Sequence, residues 1–123
     1  MYPRDPEHMY VRCDGAQLKR VFIEKGPPIL ARVMRDSGCV YTDFKRIFIH
    51  QASVNYLREM LAATGIPDTL VEHTVADLGN MAAASIPVAM ARAMERGVIG
   101  PGDRVMCLGL ASGIGIGVTM IDL

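Results

Sequence analysis

Two short blocks about thirty residues apart carry side chains able to stabilise negative charge. The first, Ile49-His50-Gln51-Ala52-Ser53, ends an apolar run, and the second is Gly79-Asn80-Met81-Ala82-Ala83-Ala84-Ser85-Ile86-Pro87. Each sets one polar side chain, His50 or Asn80, on a small-residue turn between a buried strand and a helix. A neutral imidazole and a carboxamide both donate hydrogen bonds to an oxygen that becomes negative, which is what an oxyanion site requires. Taken singly, each has an ordinary explanation. A histidine at a strand end is more often structural than catalytic, and Gly-Asn is a common turn pair. Placed together at consecutive strand ends they read as half of an active site. The other half would be a nucleophile.

The nucleophile is harder to find. Gly109-Leu110-Ala111-Ser112-Gly113 resembles a nucleophile elbow loosely, but it leads into a strand and not a helix, which argues against Ser112 as an attacking group. Cys107 lies mid-strand and reads as buried and inert. Cys39 falls in a helix-to-strand loop at the end of the strand opposite His50, and Cys13 lies near the Asp14-Gly15 turn. None of the three is expected to follow a strand at the start of a helix, where the dipole would lower a thiol pKa. His8 reads as exposed and His73 as a structural strand residue.

The elements that must position these residues follow from periodicity and punctuation. Residues 1–8 read as a flexible entry and 9–123 as one domain, with Met9-Tyr10-Val11 a short strand. Residues 16–25 show helical spacing, Gly26-Pro27-Pro28 predicts a break or kink, and a second helical piece carries Ile29, Leu30, Val33 and Met34. Arg46 to Ile49 suits a buried strand. A helix over 53–64 follows, with Ser53 as N-cap and Gly65 past its end. His73-Thr74-Val75 is a weaker strand, and residues 84–96 form an Ala/Met-rich helix closed by Gly97. Gly100-Pro101-Gly102-Asp103 is a turn. A strand over 104–110, a tight connection at 111–113 and a strand over 114–121 complete the chain. The order predicts an α/β fold, largely parallel, ending in an antiparallel hairpin.

Bulk properties exclude several classes. Half of the 123 residues are apolar and 21% are charged, as in globular chains. Thirteen basic residues balance thirteen acidic ones, so net charge supports neither a nucleic-acid nor a membrane-surface role. No apolar run reaches the roughly 18 residues of a membrane span, and the first eight residues lack a signal-peptide core. Three widely spaced cysteines give no zinc spacing and fit a reduced, cytoplasmic chain; no metal is expected.

At these residues the chain resembles the C-terminal part of β-ketoacyl-acyl-carrier-protein synthase III, of the thiolase fold group. The family's His-Gln-Ala-Asn block resembles His50-Gln51-Ala52-Ser53. Its Gly-Asn-Thr-Ser-Ala-Ala-Ser-Ile-Pro block resembles Gly79 to Pro87. Its Ile-Lys-Pro-Gly-Asp turn is similar to Ile99-Gly100-Pro101-Gly102-Asp103, its glycine-rich hairpin to Gly109–Gly117, and its Asn-Gly turn to Asp14-Gly15. The resemblance implies a mixed sheet with helices, half of a thiolase-like fold that is layered α-β-α-β-α in the complete enzyme. It implies a decarboxylative Claisen condensation of an acyl thioester with a malonyl-carrier protein, without a cofactor; coenzyme A and carrier-protein thioesters are substrates. His50 and Asn80 would then hold the enolate oxygen. The backbone at Ser112 would serve the second oxyanion hole. Gly15, Arg20, Gln51, Ala52, Ser53 and Asn55 would meet the pantetheine arm or the carrier protein. The partners implied are a cysteine-bearing N-terminal half, acyl-carrier protein and acyl-CoA, within a homodimer of the complete enzyme.

The departures bear on substrate. Ser53 replaces a family asparagine that binds the arm, and Ala111 and Ser112 replace glycines. Asn55, Ala62 and Ala63 stand where basic carrier-docking residues are usual, with Arg20 and Arg58 as partial compensation. A specialised relative with another primer or acceptor fits these changes. Only 49 residues precede His50, whereas the family's nucleophilic cysteine lies far upstream of its histidine. Two other readings stay open: a non-catalytic partner subunit with a thiolase half-fold, and a small hydrolase using Ser112.

Overall fold

The computed structural model describes residues 13–123. The expected strand at Met9–Val11 and the entry segment 1–8 lie outside the described residues. The described residues run through helix α1 (Gly15–Ser37), strand β1 (Arg46–Ile49), α2 (Val54–Thr64), the single turn α3 (Val75–Leu78) and α4 (Ser85–Glu95). Strands β2 (Arg104–Ala111) and β3 (Gly115–Asp122) close it. The sheet order is β1-β2-β3. β1 runs parallel to β2 with Ile47 opposite Met106, and β2 runs antiparallel to β3 with Gly109 opposite Gly117. The sheet is therefore mixed, with one parallel and one antiparallel pairing.

Alternation along β1 and β2 divides the core in two. Ile47, Ile49, Met106 and Leu108 face α1 and α2, where Leu30, Leu57 and Leu61 pack on them. Phe48, Val105 and Cys107 face the other way, onto Ala89 and Ala93 of α4. Two-sided burial is what makes β1 read as a continuous apolar run. The small alanines let α4 lie close to the strand.

Two expectations are corrected. α1 is one helix and is not interrupted at Gly26-Pro27-Pro28, although both prolines lie inside it. Each removes an N–H and crowds the carbonyl four residues back, a cost of about 3 kcal/mol in an ordinary helix interior. What holds the segment helical is packing on both sides of the prolines. Phe22, Gly26 and Leu30, spaced one turn apart, are the buried residues of this helix, and Gly26 faces the Met60 side chain of α2. The Glu24 carbonyl left without its Pro28 partner belongs to an exposed residue, where water can serve it.

The strand expected at His73–Val75 does not form. Thr74 instead caps α3 and Val75 begins it, while the sheet contact falls earlier, as a single parallel bridge between Val71 and Ile47. The Gln51 side chain explains this. Its Oε1 accepts from the backbone N–H groups of Thr74 and Val75, each at 3.0 Å. Its Nε2 donates to the Glu72 carbonyl at 2.7 Å. With those amides taken by a side chain, the segment cannot extend a ladder. His73 is consequently an exposed loop residue 2.9 Å from Asp68 and not a strand residue.

Candidate active site

His50 follows β1 directly. Its N–H donates to the Leu108 carbonyl at 3.0 Å, which carries the parallel pairing one residue past the strand and fixes the backbone under the ring. Ser53 then caps α2 by accepting from the Tyr56 N–H at 3.1 Å, and Gly65 ends the helix in the left-handed conformation. The expected strand–turn–helix unit is present with those caps. Asn80 sits after α3, behind Gly79, whose φ of 69° and ψ of −162° belong to glycine territory.

One residue, Ala82, joins the two polar side chains. The Ala82 N–H donates to Asn80 Oδ1 at 2.9 Å. The Ala82 carbonyl lies 3.2 Å from His50 Nδ1. A carbonyl only accepts, so Nδ1 carries the proton in this arrangement and Nε2 is the end left for a ligand. Asn80 is likewise oriented: its oxygen is engaged by the protein, which leaves the NH₂ group as donor. Ala82 holds a φ of 49°, unusual for a residue with a Cβ. Such conformations persist where the surroundings over-determine them, and here hydrogen bonds at both ends of the residue do so.

These groups open on one cavity of about 1010 Å³, mostly apolar in its lining. His50, Asn80 and Ala82 line it together with Ala52 and Ser53 at the start of α2. Gly15, Leu18, Lys19 and Phe22 of α1 contribute, as do Leu110, Ala111 and Ser112 near the hairpin tip. Lys19 donates to Glu59 Oε1 at 2.6 Å and ties α1 to α2 beside it. Thus His50, Asn80, Gly15, Ala52, Ser53 and Ser112 come together around one space. Ser112 lies in the loop between two strands, as expected.

Three other residues of the expected set do not reach this space. Gln51 is 1% exposed, and both ends of its amide serve as the clamp on residues 72–75. Arg20 and Asn55 are exposed and absent from the lining. Sequence reasoning also set aside residues that do line it, namely Cys13, Phe22, Tyr56 and Ile116. Cys13 directly precedes Asp14, the N-cap of α1, and the residues before it lie outside the described ones. The Asp14 carboxylate accepts from the Gln17 N–H at 2.9 Å and starts the helix there. Cys107 is buried as expected, which pushes its thiol pKa up. Among the described residues, no cluster of three metal-ligating side chains occurs and no helix is long and apolar enough to cross a membrane.

Known proteins share this fold. Residues 34–123 match the family described as 3-oxoacyl-[acyl-carrier-protein (ACP)] synthase III C terminal. The β-ketoacyl-[acyl-carrier-protein] synthase III of Dinoroseobacter shibae is 32% identical over 112 residues, covering 91% of this chain and 35% of that protein. An acetoacetyl CoA synthase of a Streptomyces species is 28% identical over 113 residues, covering 92% of this chain and 34% of that protein. Among solved structures, the 3-oxoacyl-(acyl carrier protein) synthase III of Pseudomonas aeruginosa matches with a TM-score of 0.81 at 25% identity, over 99% of this chain and 38% of that one. The chain spans about a third of the length of the curated relatives it matches. Its α/β architecture is that of the C-terminal part of these thiolase-like enzymes. This chain belongs to the C-terminal domain family of 3-oxoacyl-acyl-carrier-protein synthase III.

Proposed function

We propose that this chain supplies the decarboxylation half of an acyltransferase that condenses an acyl thioester with malonyl-carrier protein. The observation that carries the reading is the Ala82 backbone, whose N–H and carbonyl hold Asn80 and His50 beside one cavity. In the reaction, the malonyl C–C bond breaks, carbon dioxide leaves, and the electron pair becomes a thioester enolate. The enolate carbon attacks an acyl group held on a cysteine; a C–C bond forms and the cysteine thiolate departs. Asn80 Nδ2 donates to the enolate oxygen. His50 lies beside that oxygen, its ring oriented by the Ala82 carbonyl at Nδ1. Donors fixed in advance stabilise charge that exists only near the transition state.

The attacking cysteine would lie on a cysteine-bearing N-terminal half, as the resemblance implies. Coenzyme A and carrier-protein thioesters are the substrates in this reading, with no cofactor, and the complete enzyme is a homodimer. The backbone at Ser112 serves the second oxyanion hole. Arg20 and Asn55, exposed on α1 and α2, suit contact with the carrier protein and not with the buried arm. The Ser53, Ala111 and Ser112 departures favour a specialised primer or acceptor. A relative named for acetoacetyl CoA synthesis agrees with such breadth. The unpaired cysteines support a reducing, cytoplasmic setting.

The test is malonyl-thioester decarboxylation by this chain assembled with the cysteine-bearing half. His50→Ala and Asn80→Ala should each lower kcat by about 10²–10³, the effect of losing one oxyanion donor. Full activity in the double variant would overturn the reading and leave a non-catalytic subunit.

A further inference from the structure

Tyr56 carries a hydroxyl that the fold does not use. The residue is 5% exposed, and its hydroxyl has no hydrogen-bond partner among the described residues. Buried phenols ordinarily find one. The ring packs against Phe22, with centroids 6.5 Å apart and planes at 59°, and against Met60. Leu18, Leu110 and Ile116 complete this apolar collar. Tyr56, Phe22, Leu18, Leu110 and Ile116 all line the cavity that holds His50 and Asn80. Tyr56 therefore belongs to the cavity wall, with its hydroxyl oxygen buried within that wall. Phenylalanine would make the same ring contacts without burying an unpaired hydroxyl, so packing alone does not account for tyrosine. Ser53, whose Oγ accepts from the Tyr56 N–H as the cap of α2, makes no bond to this hydroxyl. Burial pushes the Tyr56 pKa up, which keeps the group an O–H donor.

We infer that Tyr56 is a further ligand-positioning residue, whose hydroxyl donates a hydrogen bond to a carbonyl oxygen of the bound thioester. The inference rests on the acyl-thioester reading of the cavity and adds a contact to it. An otherwise apolar bed with one donor selects a ligand that is mostly hydrocarbon and bears one well-placed acceptor. Two parts of a thioester offer that acceptor: an amide of the pantetheine arm, or an oxo group on the acyl chain. Leu18 and Ile116 are only partly buried, so their side chains can turn aside to admit it.

The experiment reads binding, without condensation. The full chain is labelled with ¹³C at tyrosine Cζ, and the Tyr56 resonance is assigned by its loss in Tyr56→Phe. Circular dichroism confirms that the variant keeps its fold. Pantetheine should move the Tyr56 resonance, and Tyr56→Phe should weaken pantetheine binding about tenfold, the size of one neutral hydrogen bond. A shift with a 3-oxoacyl methyl thioester, which lacks the arm, and none with pantetheine would assign the same hydroxyl to the acyl chain. An unmoved resonance with both probes, or equal binding by Tyr56→Phe and the parent chain, would overturn the inference. Failure of the condensation reading would appear separately, in the His50 and Asn80 variants.

Discussion

Two neighbouring loops use hydrogen bonds in opposite ways. At residues 72–75 a side chain serves the backbone: buried Gln51 satisfies two N–H groups and one carbonyl. The Glu72 carboxylate there is buried too and meets Arg96 at 2.7 Å. At residues 79–82 the backbone serves side chains: Ala82 binds Asn80 at one end and His50 at the other. The first loop leaves none of its Gln51-bound groups unspent. The second occupies one end of each polar side chain and leaves the other end directed to a ligand. Adjacent residues, His50 and Gln51, thus divide between cavity and core because the backbone turns one toward the cavity and the other into the core.

Substitutions that exchange these roles sharpen the comparison. Gln51→Leu should have the largest effect on stability, because it strands two buried N–H groups and a carbonyl. A loss of roughly 3 kcal/mol is expected in urea unfolding. Asn80→Ala should instead stay within about 1 kcal/mol of the parent chain, since its one backbone bond is exposed. An equal loss for both would erase the distinction between the loops.

Gly79→Ala tests the backbone that presents Asn80. No atom lies near enough to clash with a new Cβ, so the penalty is conformational alone. A loss of about 1–3 kcal/mol is expected from forcing a side chain into this region, read as a lower thermal midpoint. Ser53→Ala removes the α2 cap and should cost about 1 kcal/mol. If Ser53 also bound the arm as its family counterpart does, ligand affinity would fall along with stability. The capping role alone predicts a change in unfolding with affinity retained.

Much of this was legible in the residues. β1 announced itself as an apolar run because both its faces are covered. The limits of α2 followed from Ser53 and Gly65, whose capping chemistry is local. The hairpin followed from glycine spacing. The strand expected at His73–Val75 does not form for the opposite reason: a glutamine more than twenty positions away captures two of its amides. α1 misled because two prolines are a strong local signal, outweighed here by contacts to α2 that periodicity cannot weigh.

The amino-acid sequence by itself determined which residues could do the chemistry, the order of the elements around them, and the family. Those depend on residue type and short-range spacing. Only the tertiary structure decided that Gln51 is a clamp and not part of the cavity, that Ala82 orients both polar side chains, and that Tyr56, in the wall of their space, buries a hydroxyl without a partner. These are facts of burial and hydrogen-bond accounting. They exist only once residues distant along the chain compete for the same donors and the same space.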